Sequence, residues 1–498
     1  MHKKLKNIVD LVPGVVLKGD ANTIITDVVQ DSRQATHGAL FVCLDGVHVD
    51  GHKFIGQAVE HGAVAIITER KNVSVPDKVA VVEVPNIDEA LKIMVPAAFD
   101  YPSRRMRVIG ITGTNGKTTT SYLIRAMLRE AGHKVGLIGT IQIMIGDKVL
   151  PIHNTTPNVV DLQRTLSMML EEGMDYVVME VSSHALDQGR VAGTEIDTAV
   201  FTNLTQDHLD YHKTMDNYRL AKAKLFDSLA DGIKPLKTAV VNIDDASGEV
   251  MLEHTNKDFV NRITYGVNSV DADIRGVNPN VHQTGSEFTV QGSFGLIPLR
   301  LKITGMFNIY NVLAAFGAAI AEEVPVATIK HALEGFRGVP GRFELVDCGQ
   351  PFAVVVDYAH TPDGLENILS TARQITEQRI ITVFGCGGDR DKTKRPIMGR
   401  IAAEMSDAVI LTSDNPRTED PLEIINEVDV GVKEKIGVKP YEKIADRQEA
   451  IFVAIAMAQP GDTVVIAGKG HENYQILKDK TIHFDDREMA RAALGGIV

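Results

Sequence analysis

Between Arg107 and Ala131 an apolar strand runs into a glycine-rich turn and then an amphipathic helix, RVIGITGTNGKTTTSYLIRAMLREA. Such a turn grips phosphate. Gly113-Thr114-Asn115-Gly116 lets several backbone N–H groups converge on one anion, and a helix opening at Lys117 adds the positive end of its dipole. The Lys117 ammonium can bridge phosphate oxygens, and the Thr118 hydroxyl can ligate Mg²⁺. The spacing departs from the strict phosphate-loop pattern, because Ile111 stands where glycine is usual, with Gly110 and Gly113 on either side. A glycine loop without a ligand is the plainer alternative. The strand before it, the helix after it and the run Gly-Lys-Thr weigh against that.

At 498 residues the chain has room for about three ordinary domains, each with its own core. An apolar content of 44% with 23% charged residues is that of a soluble globular protein. The net charge of −13 argues against general nucleic-acid binding and leaves room for local basic pockets. Cys43, Cys348 and Cys386 are scattered and form no CxxC pair, so neither a disulfide framework nor a zinc site is expected. Asp10 and Pro13 interrupt the apolar start, against a secretion signal. No stretch approaches the roughly 18 uninterrupted apolar residues of a membrane span. A cytoplasmic location follows as the expectation.

Two joints divide the chain. One is Asp100–Arg105, just ahead of the phosphate-loop strand; the other is Gly335–Arg342, rich in glycine with two arginines. The expected domains are 1–103, 104–337 and 338–498. In the first, ALFVCL, AVAIIT and VAVVEV alternate with helical stretches such as His52–His61. The middle one continues with KVGLIGTI, YVVMEV, DTAVFTNL and TAVVNI, and residues 262–303 alternate apolar and polar, as an antiparallel excursion does. In the last, FAVVVDY, RIITVFG, AVILTSD and DTVVIAG are near-continuous apolar strands, as in a parallel sheet covered on both faces. Each ends in polar or glycine residues, where open α/β sheets place ligands. The fold class is α/β.

YVVMEV delivers Glu180 at a strand end near the nucleotide, a natural Mg²⁺ ligand because magnesium takes oxygen donors. His208 and His212 have the spacing of a zincin helix, but Leu209 stands where that motif needs glutamate, so a metalloprotease is rejected. Either histidine could touch metal or pack in a loop. Asp216 could cap a helix whose apolar stripe uses Tyr218, Leu225, Phe226 and Leu229, and Lys222 falls on that same face. A lysine there must snorkel, pair or lose its charge. A neutral amine can add CO₂ to become a carbamate, an anion suited to a second magnesium. At the C-terminal strand ends, Arg390 replaces the glycine a dinucleotide fingerprint would need and can form a forked pair with a carboxylate. Asp414-Asn415-Pro416-Arg417 and Gly468-Lys469-Gly470-His471-Glu472 close the next two ends. Two arginines with Asp414 and Glu472 would suit a ligand bearing both carboxylates and ammonium groups.

TGTNGKTT at 112–119, NTTP at 154–157, MEVSSHAL at 179–186, DHLDYH at 207–212 and YRLAK at 218–222 resemble the Mur ligases of peptidoglycan synthesis. So do DSR at 31–33, GMFNIYN at 305–311, PGR at 340–342, VDYAHTPDGLE at 356–366, GCGGDRDKTKRP at 385–396, DNPR at 414–417 and GKGHE at 468–472. The resemblance covers nearly the whole chain. It implies an N-terminal α/β UDP-binding domain, a central P-loop ATPase-like domain and a C-terminal Rossmann-like domain. It further implies that Ser32 holds the UDP-sugar substrate, while Asn154, Thr155, Thr156, Ser182, Gln188 and Arg190 meet its muramoyl-dipeptide part. Gly113, Thr114, Asn115, Gly116, Lys117, Thr118 and Thr119 would bind ATP phosphates, helped by Asn308, Asn311, Arg342 and Asp357. Magnesium would be shared among Thr118, Glu180, His208 and carbamylated Lys222, with Lys117, Lys222, Glu180 and His208 catalytic. Arg390, Asp414, Asn415, Pro416, Arg417, Gly468 and Glu472 would receive the amino acid.

The implied reaction is ATP-driven addition of meso-2,6-diaminopimelate to the D-glutamate γ-carboxyl of UDP-N-acetylmuramoyl-L-alanyl-D-glutamate, through an acyl phosphate. Diaminopimelate carries a distal carboxylate beside its distal ammonium. Arg417 and Arg390 suit the carboxylate; Glu472 and Asp414 suit the ammonium. L-Lysine lacks that carboxylate and would leave Arg417 without use. The expected partners are these small molecules alone, bound by a monomer, without nucleic acid or a membrane span. A lysine-adding ligase, a folylpolyglutamate synthase and a non-catalytic nucleotide switch are the rival readings; DSR, NTTP and DNPR point away from the second.

Overall fold

Strands that are apolar throughout can be satisfied only where helices cover both faces of a sheet, and the computed structural model follows that rule. It describes residues 1–45, 50–152, 154–282 and 284–495, which include every site residue named above. The chain divides into two compact units. The first comprises 1–204, 208–265 and 317–324; the second comprises 205–207, 266–316 and 325–498.

The first unit opens with a five-stranded sheet. Its strands are β1 (Val16–Lys18), β2 (Asp27–Val29), β3 (Ala39–Val42), β4 (Ala63–Thr68) and β5 (Ala80–Glu83), in the order β1-β5-β4-β3-β2. All neighbours are parallel except β1 with β5. The helical stretch expected at His52–His61 is a short 3-10 turn, Gly51–Phe54, followed by α1 (Ile55–Glu60). Helix α2 (Ile87–Ala98) covers one face of the sheet.

The second sheet of this unit holds the phosphate loop. It comprises β6 (Arg107–Thr112), β7 (Val135–Ile138), β8 (Ile143–Ile145), β9 (Lys148–Leu150), β10 (Tyr176–Glu180), β11 (Thr198–Phe201), β12 (Lys237–Asn242) and β13 (Val260–Gly266). Their order is β9-β8-β7-β10-β6-β11-β12-β13, parallel from β7 to β13 and antiparallel at β8 and β9. Strand β6 lies at the centre, so both neighbours project their ends beside its loop. Helices α3 (Lys117–Glu130), α4 (Val159–Glu171) and α5 (Ser183–Asp187) follow β6, β9 and β10. Val159 and Val160 of α4 are buried in the core of the first sheet, which joins the two sheets into one unit. The antiparallel excursion begins later than the alternation from residue 262 implied, because β13 pairs parallel with β12 through Tyr265.

In helix α6 (Met215–Asp227), Tyr218, Leu225 and Phe226 are buried on one face, with Leu229 beyond its end, and Lys222 shares that face at 1% exposure. Its cap differs from the expected one. The Thr214 hydroxyl accepts from Asn217 N at 3.1 Å, whereas Asp216 sits in the first turn and pairs with Arg219. Threonine wins because the cap residue must keep an extended backbone, and Thr214 does, at φ −134° and ψ 155°.

The second unit contains an antiparallel meander, β14 (Ile274–His282), β15 (Gly285–Gly292) and β16 (Gly295–Leu301), then α7 (Met306–Ala321), which continues into the first unit at Gly317. Its larger sheet comprises β17 (Glu344–Leu345), β18 (Ala353–Asp357), β19 (Ile380–Phe384), β20 (Ala408–Leu411), β21 (Tyr441–Lys443) and β22 (Thr463–Ala467). The order is β17-β18-β22-β19-β20-β21, parallel except for β17 at the edge. Cores on both faces include Leu365, Ile368 and Leu369 of α8 (Pro362–Ile375) on one side, and Ile451 and Ile455 of a helix at Arg447–Ala456 on the other. Among the described residues no helix is long and apolar enough to cross a membrane.

Phe201, fully buried at the end of β11, anchors the strand that flanks the phosphate loop. Phe201→Ala should destabilise this unit by about 3–5 kcal/mol, read as a lower urea midpoint of its unfolding transition.

Candidate active site

Strand pairing fixes the phosphate loop before any side chain acts. Phe201 of β11 lies opposite Thr112 of β6, so Thr202 and Asn203 continue alongside Gly113–Asn115. The Thr114 N–H donates to Asn203 O at 2.8 Å, the Asn115 N–H donates to Asn203 Oδ1 at 2.9 Å, and the Thr202 hydroxyl donates to Asn115 O at 2.7 Å. Gly113 has φ +149°, and a Cβ there would lie 1.9 Å from Thr202 Oγ1. The glycine is therefore obligatory for this approach. Gly116 takes the left-handed conformation at φ +85° and starts α3 with no side-chain cap, which leaves its first-turn N–H groups facing the loop. Sequence reasoning missed the stapling role of Asn203; an asparagine directly after a flanking strand is the signal available for it.

Lys117 and Lys222 converge on one carbonyl. Lys117 Nζ donates to Gly113 O at 2.9 Å and Thr114 O at 2.8 Å, while Lys222 Nζ donates to Gly113 O at 2.9 Å. The Lys222 ammonium also lies 4.3 Å from the Tyr218 ring centroid, and the Tyr218 hydroxyl is 3.1 Å from Thr114 Oγ1. His208 is exposed at φ +55°, its ring centroid 5.9 Å from that of Tyr218 and 4.8 Å from that of His184. His212 is the packed member of the pair: it is buried, with Nε2 2.9 Å from Ser183 Oγ. Burial holds its imidazole below the ordinary histidine value.

Glu180 has no exposed surface. Its register opposite Ile111 brings the carboxylate to the level of the loop. There Oε2 accepts from the Thr118 hydroxyl at 3.0 Å and the Thr140 hydroxyl at 2.9 Å, and Oε1 accepts from Thr140 N at 2.9 Å. A buried carboxylate ringed by hydroxyls is a hard, oxygen-only donor set, and it fits Mg²⁺. Asp45, Asp50 and His52 also lie within metal-binding reach of one another, but Arg70 pairs with both carboxylates.

The same network extends into NTTP. Thr155 Oγ1 is 3.1 Å from Thr140 Oγ1, and Thr156 Oγ1 donates to Glu180 O at 3.0 Å while accepting from Ser182 N at 3.0 Å. Ser182 Oγ caps α5. Arg190 donates to Thr156 O at 3.1 Å and Gln188 Oε1 at 2.9 Å. Asn154, Gln188 and Arg190 line a cavity of about 510 Å³ with Asn86, Asp88 and Lys92. Ser32 lies apart from that lining; it is buried and donates to Gln57 Oε1 at 2.7 Å.

In the second unit Asn308 and Asn311 are buried on the first turns of α7, Asn311 Nδ2 donating to Asn308 Oδ1 at 3.1 Å. Arg342 lies 5.2 Å from the Tyr358 ring centroid. Asp357 accepts from Phe343 N at 2.7 Å and Ala359 N at 2.8 Å, and burial pushes its carboxyl above the ordinary value despite the pull of Arg342.

Three strand ends of the second unit form one rim. Phe384 of β19 is in register with Leu411 of β20, and Gly388 N donates to Asn415 O at 2.9 Å. Arg417 adopts φ +52°, a conformation that a residue with a side chain of this length takes only when its surroundings impose it. Here Arg417 N donates to Ile476 O at 3.1 Å and Nη1 to Gly388 O at 2.7 Å. Asn415 Nδ2 donates to Glu472 Oε2 at 2.9 Å. Pro416 is buried, and a Cβ on Gly388 would lie 1.9 Å from its carbonyl oxygen. A Cβ on Gly468 would lie 2.6 Å from Asp414 Oδ2.

Arg390 is exposed, and its guanidinium donates to Asp389 O at 2.9 Å. A forked pair within the chain belongs to Arg395, fully buried, with both terminal nitrogens 2.9 Å from Glu419. An interior guanidinium needs such a counter-charge. Sequence reasoning missed this pair, and Arg447 as well. It is fully buried with Asp486 and donates to Ser413 O at 3.3 Å and Ala467 O at 3.0 Å, bracing the strands that carry Asp414 and Gly468.

A strand-cradled phosphate loop beside a buried carboxylate, with a mixed-charge rim on a parallel sheet, defines a nucleotide-using enzyme of the α/β class. Family models agree in order along the chain: Mur ligase family, catalytic domain over 24–98; Mur ligase middle domain over 111–319; and Mur ligase, glutamate ligase domain over 341–470. The chain belongs to the Mur ligase family, with its three-domain α/β architecture and ATP-dependent ligase chemistry. It is 48% identical over 495 residues, 99% of each chain, to UDP-N-acetylmuramoyl-L-alanyl-D-glutamate–2,6-diaminopimelate ligase of Geobacillus thermodenitrificans. The ligase of the same name from Syntrophomonas wolfei is 45% identical over 494 residues, again 99% of each chain. A solved structure of a ligase so named superposes with a TM-score of 0.70 at 33% identity, covering 100% of this chain and 99% of that one. UDP-N-acetylmuramoylalanyl-D-glutamyl-2,6-diaminopimelate–D-alanyl-D-alanyl ligase from Acinetobacter baumannii shares the fold, with a TM-score of 0.63 at 20% identity, covering 90% of this chain and 91% of that one.

His471 gives this region a pH signature. Burial, with Arg342 and Arg487 nearby, pushes its imidazole down to about 4 from 6.5. The unfolded chain takes up that proton as pH falls through 6.5, and the folded chain does so only near 4. Stability from this group is therefore full above 6.5 and lost between 6.5 and 4. Melting temperatures across that window should fall less steeply for His471→Asn than for the parent.

Proposed function

We propose that the protein joins meso-2,6-diaminopimelate to the D-glutamate γ-carboxyl of UDP-N-acetylmuramoyl-L-alanyl-D-glutamate at the expense of ATP. The reading is supported by relatives of that printed name over nearly full length. The observation that carries it is Arg417, held in a strained conformation on a rim that also presents Asp414 and Glu472. One guanidinium beside two carboxylates complements a zwitterionic head, and lysine would leave the guanidinium unmatched.

In this reading the domains are 1–103, 104–337 and 338–498. Ser32, Asn154, Thr155, Thr156, Ser182, Gln188 and Arg190 bind the UDP-sugar dipeptide. Gly113 to Thr119 bind the phosphates of ATP, and Asn308, Asn311, Arg342 and Asp357 are further nucleotide-binding residues. Arg390, Asp414, Asn415, Pro416, Arg417, Gly468 and Glu472 receive the acceptor. Thr118, Glu180, His208 and a carbamate on Lys222 hold magnesium, which supplies positive charge where two anions must meet. The γ-carboxylate oxygen bonds to the γ-phosphorus as the bond to ADP breaks. The acceptor amine then bonds to the acyl carbon, phosphate departs with the C–O electron pair, and the nitrogen releases a proton. Lys117 neutralises phosphate charge, and the stapled loop holds the triphosphate for in-line attack. The chain works in the cytoplasm as a monomer.

Phosphate release should require the UDP-dipeptide and diaminopimelate together, with lysine at least about 100-fold poorer in kcat/KM. Equal use of lysine would sink this choice of acceptor. Arg417→Ala should raise the diaminopimelate KM about 10- to 100-fold, the weight of a charged hydrogen-bond pair.

For Lys222, ¹³C-labelled CO₂ should give a carbamate resonance that is absent in Lys222→Ala. That variant should lose at least about 100-fold in turnover if the charge is essential. Full activity of Lys222→Ala would falsify the carbamate.

A further inference from the structure

Beneath the acceptor rim lies a lysine that no step above uses. Lys469 follows Gly468 at the end of β22 and has no exposed surface. Its ammonium donates to Asn415 Oδ1 at 3.0 Å and Glu472 Oε2 at 3.3 Å, and stands 3.8 Å from Asp414 Oδ1. Three side chains from two strand ends thus meet on one buried cation. The glycines on either side have φ +123° and +52°, so the backbone turns sharply on both sides of Lys469.

The contacts fix orientation. Asn415 Oδ1 accepts from Lys469 Nζ and also from Ile476 N at 2.9 Å, so its amide group can only turn Nδ2 toward Glu472 Oε2. Glu472 Oε2 then takes two donors from the framework, and the carboxylate meets a ligand in a single orientation. Without the cation, Asp414 and Glu472 would be like charges sharing one rim, and Asn415 would lose one of the two donors that hold it.

We propose that Lys469 is a positioning residue for the acceptor. It locks Asn415 and Glu472 from below so that the rim is already shaped for the ammonium of the incoming diamino acid. This rests on the reading of the rim as the diaminopimelate site.

The test is steady-state kinetics of Lys469→Met in the full chain with ATP, magnesium, the UDP-dipeptide and diaminopimelate. The diaminopimelate KM should rise about 10- to 100-fold, with kcat at saturation within about threefold and the KM values for ATP and the UDP-dipeptide within about twofold. Because the lysine acts through Glu472, the double variant with Glu472→Gln should be no worse than the poorer single variant. If Lys469→Met does not fold, as judged by its melting curve, Lys469→Gln takes its place and keeps one N–H donor at the buried end. An unchanged acceptor KM, an equal rise in all three KM values, or effects that multiply in the double variant each overturn the positioning role. Those results alongside diaminopimelate-dependent ADP formation by the parent leave the acceptor reading standing. A parent that forms no ADP with diaminopimelate overturns that reading and this role with it.

Discussion

A carboxylate with no exposed surface, Glu180, sits where a nucleotide-binding loop begins, and most of the first unit is arranged around that placement. Ionised groups leave water only at a cost of several kcal/mol. Here the compensation is local: the hydroxyls of Thr118 and Thr140 and one backbone N–H, that of Thr140. The parallel register of β10 with β6 sets the height of the carboxylate. Gly139 keeps room for it, since a Cβ there would lie 2.4 Å from Glu180 Oε1. The pairing of β11 with β6 does the same for Asn203 on the other side.

Much of this was legible because buried parallel strands leave long apolar runs whose polar ends are easy to see. YVVMEV, DTAVFTNL and DTVVIAG all become central strands whose ends carry the candidate residues. Lys222 was legible for a related reason: a charge on a helix stripe otherwise made of Tyr218, Leu225 and Phe226 has to find an interior partner, and it finds Gly113 O. What escaped was pairing at a distance. Nothing in the spacing of Arg390 and Arg395 tells which guanidinium is buried against Glu419, because the outcome depends on how two helices and a loop close over them. Asp216 and Thr214 are both good caps by composition, and only the backbone angle chooses between them.

The two candidate regions use opposite devices for holding anionic groups. Around the phosphate loop, carbonyls and hydroxyls dominate, and the amines of Lys117 and Lys222 are both turned onto Gly113 O. Along the rim of the second unit, buried cations stand behind the carboxylates and the strands: Lys469 behind Asp414 and Glu472, Arg447 behind the strand ends themselves. In the first arrangement the helix opening at Lys117 brings the positive end of its dipole to the loop. The second fixes Asn415 and Glu472 from below, so little ordering of these side chains remains to be done.

The salt bridge between Arg447 and Asp486 also has a consequence for how the chain is made. Asp486 opens the helix that runs to Gly495, and its partner braces the strand ends at Ser413 and Ala467, 73 and 19 residues earlier in the chain. During synthesis the phosphate loop can be complete long before that helix leaves the ribosome. The rim cannot, because until then a guanidinium meant for the interior lacks its counter-ion. Vectorial folding therefore completes the phosphate loop first and braces the rim of the second unit only after Asp486 has been made.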